Sequence, residues 1–84
     1  MGYLVYKCDE CGMLLLADGG AFLAHKKTKH DSPGYGRSKL VAVIADREKK
    51  HEFRDVPQAK RERWIKANGK LKPHKDREYV YVIN

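Results

Sequence analysis

Four residues in the first 30 carry a recognisable chemistry: Cys8 and Cys11, then His25 and His30, in the spacing C-x2-C-x13-H-x4-H. A Cys-x-x-Cys turn brings two thiolates to the same side. Two imidazoles a helical turn or slightly more apart can converge on the same tetrahedral ion. Sulfur combined with imidazole selects zinc over calcium or magnesium, and four protein ligands close the shell against a catalytic water. One structural zinc is therefore expected, and no enzyme. Two alternatives stay open at this stage. Cys8 and Cys11 could form a redox pair, although the intervening Asp9 and Glu10 should raise thiol pKa values where redox chemistry wants them lowered. Asp31 or His74 could also replace His30 as fourth ligand. His51 reads as a solvated loop histidine.

A second chemistry lies in the cations. Eighteen Lys and Arg against eleven Asp and Glu leave a formal charge of +7, which favours a polyanion over an acidic small substrate. Between Lys60 and Arg77, eight basic residues face Glu62 and Asp76 alone, so this segment holds most of the excess. Lys60, Arg61, Arg63, Lys66, Lys70, Lys72 and Lys75 are read as phosphate contacts, together with Lys26, Lys27 and Lys29 near the histidines. Arg37 and Lys39 join them from a Pro-Gly-Tyr-Gly stretch that reads as a flexible turn or as a mobile arm carrying Tyr35. That stretch fits neither nucleotide-binding glycine pattern. Trp64 reads as a core anchor. Tyr79 and Tyr81 read as residues packed on a sheet, with stacking on unpaired bases as the alternative.

The elements that must position these residues follow from pattern. Tyr3 to Tyr6 reads as a strand, Cys8 to Gly12 as a tight turn and Met13 to Leu16 as a short returning strand. Asp18 offers a cap for a helix from Gly19 to His30, and the loop from Asp31 to Gly36 stops it. Leu40 to Ala45 is a continuous apolar run, expected as the central strand and buried on both faces. A charged connection from Asp46 to Arg54 follows. Pro57 then opens a helix ending at Asn68-Gly69, with a narrow apolar stripe of Val56, Ala59 and Ala67. The segment from Lys70 to Lys75 reads as a loop, and Glu78 to Ile83 as a last strand. The expected class is α+β: one domain over residues 1–84, with a metal-stapled ββα unit at 3–31 and a basic strand–helix–strand extension at 38–84.

The N-terminal unit resembles a C2H2 zinc finger. The family places an aromatic two residues before the first cysteine, a large apolar residue four after the second, and another three before the first histidine. Tyr6, Leu15 and Phe22 occupy those positions, and the resemblance covers residues 3–30, about a third of the chain. It implies a ββα fold around Zn2+ and binding to nucleic acid. The positions that contact successive bases in the family fall on Asp18, Ala21 and Ala24, which are poor readers of a major groove, and a lone finger spans only about three base pairs. Affinity is accordingly expected from the other two thirds.

A chain of 84 residues barely buries one core without a staple, which agrees with the metal. Its longest apolar runs fall far short of the roughly 18 to 20 residues that span a bilayer, and its start lacks the features of a secretory signal. A cytoplasmic protein is expected, with neither a membrane nor a small-molecule substrate as partner. The leading expectation is a DNA-binding transcriptional regulator of the single-finger type found in archaea, their viruses or plasmids. An RNA-binding or ribosome-associated protein is the alternative. The third is an interaction adaptor or homodimer using Leu14, Leu16 and Leu23 as a docking face.

Overall fold

The computed structural model describes residues 2–32, 34–74 and 79–84. The chain forms β1 (Tyr3–Lys7), β2 (Leu14–Leu16), a 3₁₀ turn (Asp18–Gly20), α1 (Ala21–His30), β3 (Lys39–Ile44), α2 (Arg47–Asp55), α3 (Gln58–Asn68), β4 (Lys70–Pro73) and β5 (Tyr79–Ile83). The strands make one mixed sheet in the order β2-β1-β3-β5-β4, in which β3 and β5 run parallel and the other neighbours antiparallel. The class is α+β, as expected. The extension is richer than expected, adding a strand, two helices and a hairpin to β1.

Register decides which residues share a face. Val5 lies opposite Leu16 and Ala42, Tyr3 opposite Ile44, and Ile44 beside Ile83. These residues join Leu14, Phe53 of α2 and Ile65 of α3 in the buried core, with Tyr3, Val41, Trp64 and Tyr81 at its margin. The antiparallel register of β1 and β3 shifts between Val5 and Tyr6, a bulge that leaves Val41 unpaired, and Val41 joins Ala42 against the helix side. The expectation of a strand buried on both faces is thus corrected: β3 buries Ala42 and Ile44, while Val41 and Val43 stay half-exposed.

Two elements were misread for physical reasons. The charged connection is the helix α2, capped by Asp46, whose carboxylate accepts the Glu48 N–H at 3.0 Å. It inserts one large apolar residue, Phe53, which is too few for a periodic signal. Lys50 is buried beside it, its Nζ 4.2 Å from the centroid of the Tyr3 ring and 2.7 Å from Asp18. Asp18 therefore anchors α2 and caps no helix with its side chain; α1 begins after Gly20, at φ 77°. The expected loop is partly the edge strand β4, whose four residues are all exposed.

The inward stripe of α3 also differs from expectation. Ala59 and Ala67 face solvent, and the helix turns Arg61, Trp64, Ile65 and Asn68 inward. Trp64 packs on Phe53 at 5.4 Å between centroids and donates its indole N–H to Glu52 at 2.6 Å, as a core anchor should. Gln58 closes the free edge of β2. Its amide accepts the Leu14 N–H and donates to the Leu14 carbonyl, each at 3.0 Å, as a neighbouring strand would. Leu14 and Leu16 are buried in the core, so the expected docking face of Leu14, Leu16 and Leu23 does not exist; Leu23 alone of the three is exposed. Among the described residues, no helix is long and apolar enough to cross a membrane.

Arg61 serves the fold. It donates to the carbonyls of Val56 at 2.8 Å, Leu14 at 2.6 Å and Arg54 at 3.2 Å, with its guanidinium 4.6 Å from the Phe53 ring centroid. Charge-assisted bonds of this kind contribute about 1.5 to 3 kcal/mol. Arg61→Met is predicted to lower stability by about 2 kcal/mol in chemical denaturation followed by Trp64 fluorescence. The neighbouring Lys60→Ala should stay within about 0.5 kcal/mol of the parent.

Candidate metal centre and basic surface

The turn between β1 and β2 is built by two backbone bonds, Cys8 N–H to the Met13 carbonyl and Gly12 N–H to the Cys8 carbonyl, each at 2.9 Å. Gly12 sits at φ 77°, where a side chain would strain the backbone. Cys8 is thereby buried against the hairpin and Cys11 left exposed at its rim. Opposite, α1 supplies His25 from its middle and His30 as its last residue. Its end is fixed by Asp31, at φ 52°, whose N–H bonds to the Lys27 carbonyl at 3.2 Å, and by Ser32, whose N–H bonds to the Lys26 carbonyl at 3.1 Å.

These constraints bring one ligand atom from each of Cys8, Cys11, His25 and His30 to within 4.8 Å of one another. All four expected ligands are in the group, and neither Asp31 nor His74 belongs to it. Cys11 Sγ and His25 Nε2 are 3.4 Å apart, and the two imidazoles meet edge to face with centroids 5.0 Å apart. The buried Nε2 of His30 has no hydrogen-bond partner among the described residues. A buried and unpaired imidazole nitrogen is costly unless something binds it, and a metal ion would be such a partner.

The electrostatics suit a cation. Burial, the largest influence on Cys8, raises its thiol pKa. The backbone N–H groups of Glu10 and Cys11, the Cys11 side chain and the charge of Lys26 together outweigh it and draw the pKa below the ordinary value. Burial first, and then the charges of His30, Lys29 and Lys26, lower the pKa of His25, which favours the neutral, ligating imidazole.

Lys26 corrects a sequence expectation. The sequence pattern makes it a phosphate contact, yet only 1% of its surface is accessible, and its ammonium lies between the two residues inside the Cys-x-x-Cys turn. Lys26 Nζ donates to Asp9 and, at 2.8 Å, to Glu10. Hydrogen bonds from Lys26 are the main reason that both carboxyls are held below the usual range, and the carboxylates in turn raise the Lys26 pKa. Asp9 also accepts the Arg37 N–H at 3.1 Å and the Ser38 hydroxyl at 3.0 Å, while Glu10 accepts the Ser32 hydroxyl at 3.1 Å. The loop after α1 is thus tied to the turn. Tyr35, read as part of a turn or mobile arm, stacks on Phe22 at 5.1 Å and 12° and packs on Tyr6 at 4.7 Å. Tyr6 and Phe22 meet at 5.5 Å, the small core that the sequence placed beside the ligands.

Of the other expected cations, Arg61 is engaged by backbone carbonyls, as described. Lys27, Lys29, Arg37, Lys39, Lys60, Arg63, Lys66, Lys70 and Lys72 are exposed. Among the described residues, Lys66 is the one member of this set with an ion pair, to Glu62 at 3.3 Å. Lys75 and Arg77 lie outside the described residues. Sequence reasoning missed Lys7, which β1 places directly opposite Lys39 of β3, two like charges across one strand pair. The signal was slight: Lys7 directly follows the strand read from Tyr3 to Tyr6, and its position opposite Lys39 depends on the pairing register.

Comparison of the chain with protein-family models, curated proteins and solved structures finds no match. Replacing Lys26 with Met is predicted to leave Asp9 and Glu10 unpaired and to loosen the turn. Metal affinity should fall about 10- to 100-fold in a chelator competition, as for lost outer partners of metal ligands. An unchanged affinity would reduce Lys26 to a surface-type ion pair.

Proposed function

We propose that this chain is a zinc-stabilised nucleic-acid-binding protein, in which the metal fixes the scaffold and cations outside the Cys/His cluster meet phosphate. Two thiolate sulfurs and two imidazole nitrogens are the donor set that zinc prefers in closed structural sites. A tetrahedral zinc with bonds of about 2.3 Å to sulfur and about 2.0 to 2.1 Å to nitrogen requires sulfur and nitrogen about 3.6 Å apart. The 3.4 Å between Cys11 Sγ and His25 Nε2 is close to that separation. Four protein ligands leave no open position for substrate or activated water, so the reading is structural and assigns no catalysis. The likeness to a C2H2 finger rests on this ligand set together with Tyr6, Leu15 and Phe22.

The observation that carries the nucleic-acid reading is the unbalanced exposed charge. Lys27, Lys29, Arg37, Lys39, Lys60, Arg63, Lys70 and Lys72 are exposed and form no ion pair among the described residues. Such a surface gains counterion-release energy on meeting a polyanion. The helix α1 contributes little to base reading: Asp18 is bound to Lys50, and Ala21 and Ala24 have no hydrogen-bonding side chains. Backbone contact with modest sequence preference follows, on DNA or RNA, with α1 as scaffold.

Two outcomes are expected. Purified protein should carry one zinc per chain, and chelation or Cys8→Ser should unfold the N-terminal unit in circular dichroism, because structural zinc contributes about 10 to 16 kcal/mol. In anisotropy titrations of zinc-loaded protein against labelled oligonucleotides, affinity should fall about a thousandfold between about 50 and 200 mM salt if six or more phosphates are contacted. Charge reversal at Lys60 and Arg63 should flatten that slope. Binding that ignores salt, or none at low salt, would contradict the proposal.

A further inference from the structure

The face of the sheet that carries α2 and α3 is incompletely covered. Alternation and register place Lys7 of β1, Lys39 of β3, Tyr79 and Tyr81 of β5, and Leu71 and Pro73 of β4 on that face, because Lys7 pairs with Lys39, Leu71 with Tyr81 and Pro73 with Tyr79. Phe53 and Ile65 cover its centre, whereas Tyr79 and Leu71 remain 63% and 54% exposed. Between α3 and the sheet lies a groove of about 160 Å³, lined by Leu14, Val41, Ile65 and the Tyr81 ring and flanked by Lys7 and Lys66. A cavity of about 150 Å³ accommodates a benzene ring, so the groove has room for one six-membered aromatic ring.

From this arrangement we infer that the face binds single-stranded nucleic acid, taking one unpaired base of pyrimidine size into the groove against Tyr81, stacking the next on Tyr79, and holding the intervening phosphates with Lys7, Lys39 and Lys66. The inference rests on the nucleic-acid reading above and narrows it to unpaired strands. Three observations converge on this ligand. Tyr81 lines the apolar slot, and a tyrosine offers a stacking surface tolerant of any base. Lys7 and Lys39 stand directly opposite one another, so a phosphate between them relieves a repulsion that the free protein carries. Tyr79 is the most exposed large apolar side chain described, two residues along the same strand face from Tyr81. A duplex keeps its bases stacked and cannot fill the slot, whereas a partner protein of ordinary composition gives the opposed lysines no comparable density of anions. Glu62 also lines the groove, opposes an anionic ligand and competes with phosphate for Lys66, so it weakens the binding that Lys66 supports.

The test uses the zinc-loaded full chain and three probes of equal length: oligo-dT, oligo-dA and the duplex they form. Oligo-dT is expected to bind more tightly than the duplex. Tyr79→Ala is expected to weaken oligo-dT binding about tenfold, within the range of one lost base–aromatic stack, and to leave duplex affinity within twofold. Tyr79 is exposed, so the variant should fold, as circular dichroism and zinc content would verify. Glu62→Gln is expected to tighten oligo-dT binding severalfold, a gain that a structural role for Glu62 would not produce. Salt-dependent duplex binding equal to or tighter than oligo-dT, untouched by Tyr79→Ala, would overturn the inference and leave the general nucleic-acid reading standing. No binding to any probe at low salt would overturn both.

Discussion

The interaction on which the structure turns is the buried ammonium of Lys26 between the carboxylates of Asp9 and Glu10. Lys26 follows His25 directly, and the two acids sit between Cys8 and Cys11, so this contact joins the two halves of the Cys/His cluster from outside it. An ammonium removed from water is tolerated only when its charge is met and its protons are bonded; two carboxylates meet both conditions. The same acids collect donors from Ser32, Arg37 and Ser38, and so the loop after α1 is ordered by the group that aligns the ligands.

From that junction the constraint passes into the sheet. β1 begins the hairpin that carries Cys8 and Cys11 and is also paired along its other edge with β3, which runs parallel to β5. A hairpin that would be marginal alone is therefore one side of a five-stranded sheet, with Val5 and Leu16 in the same core as Phe53 and Ile65. Lys50 adds a second tie, joining α2 to Tyr3 and Asp18. The Cys/His unit and the extension share strand, core and ion pairs, so binding of an ion by the cluster would be felt well beyond its four residues.

Much of this was legible in the sequence. Ligand spacing, the strand before Cys8, the terminal strand and the helix after Pro57 all carry local signals that the structure reproduces. What was hidden depends on partners distant in sequence. α2 buries Phe53 and an ion-paired Lys50, a pattern that resembles a solvated charge run. Lys26 and Arg61 looked like surface cations, because a basic residue shows its carboxylate or carbonyl partners only after folding. β4 contains Pro73 and two lysines, ordinary marks of a loop that also suit an exposed edge strand. The opposed lysines and the groove beside Tyr81 depend on pairing register and helix placement, which residue types do not specify.

The central claim is that Cys8, Cys11, His25 and His30 close around a single tetrahedral metal ion that orders the chain. Cobalt is the most direct probe, since Co2+ takes the same donor geometry and reports it in visible light. Titrating metal-free protein with Co2+ should produce the intense d–d bands of a tetrahedral complex and thiolate charge transfer, saturating at one equivalent while circular dichroism gains structure. Zinc should then bleach the bands. Weak octahedral bands, or a fully folded chain before any metal is added, would contradict the account.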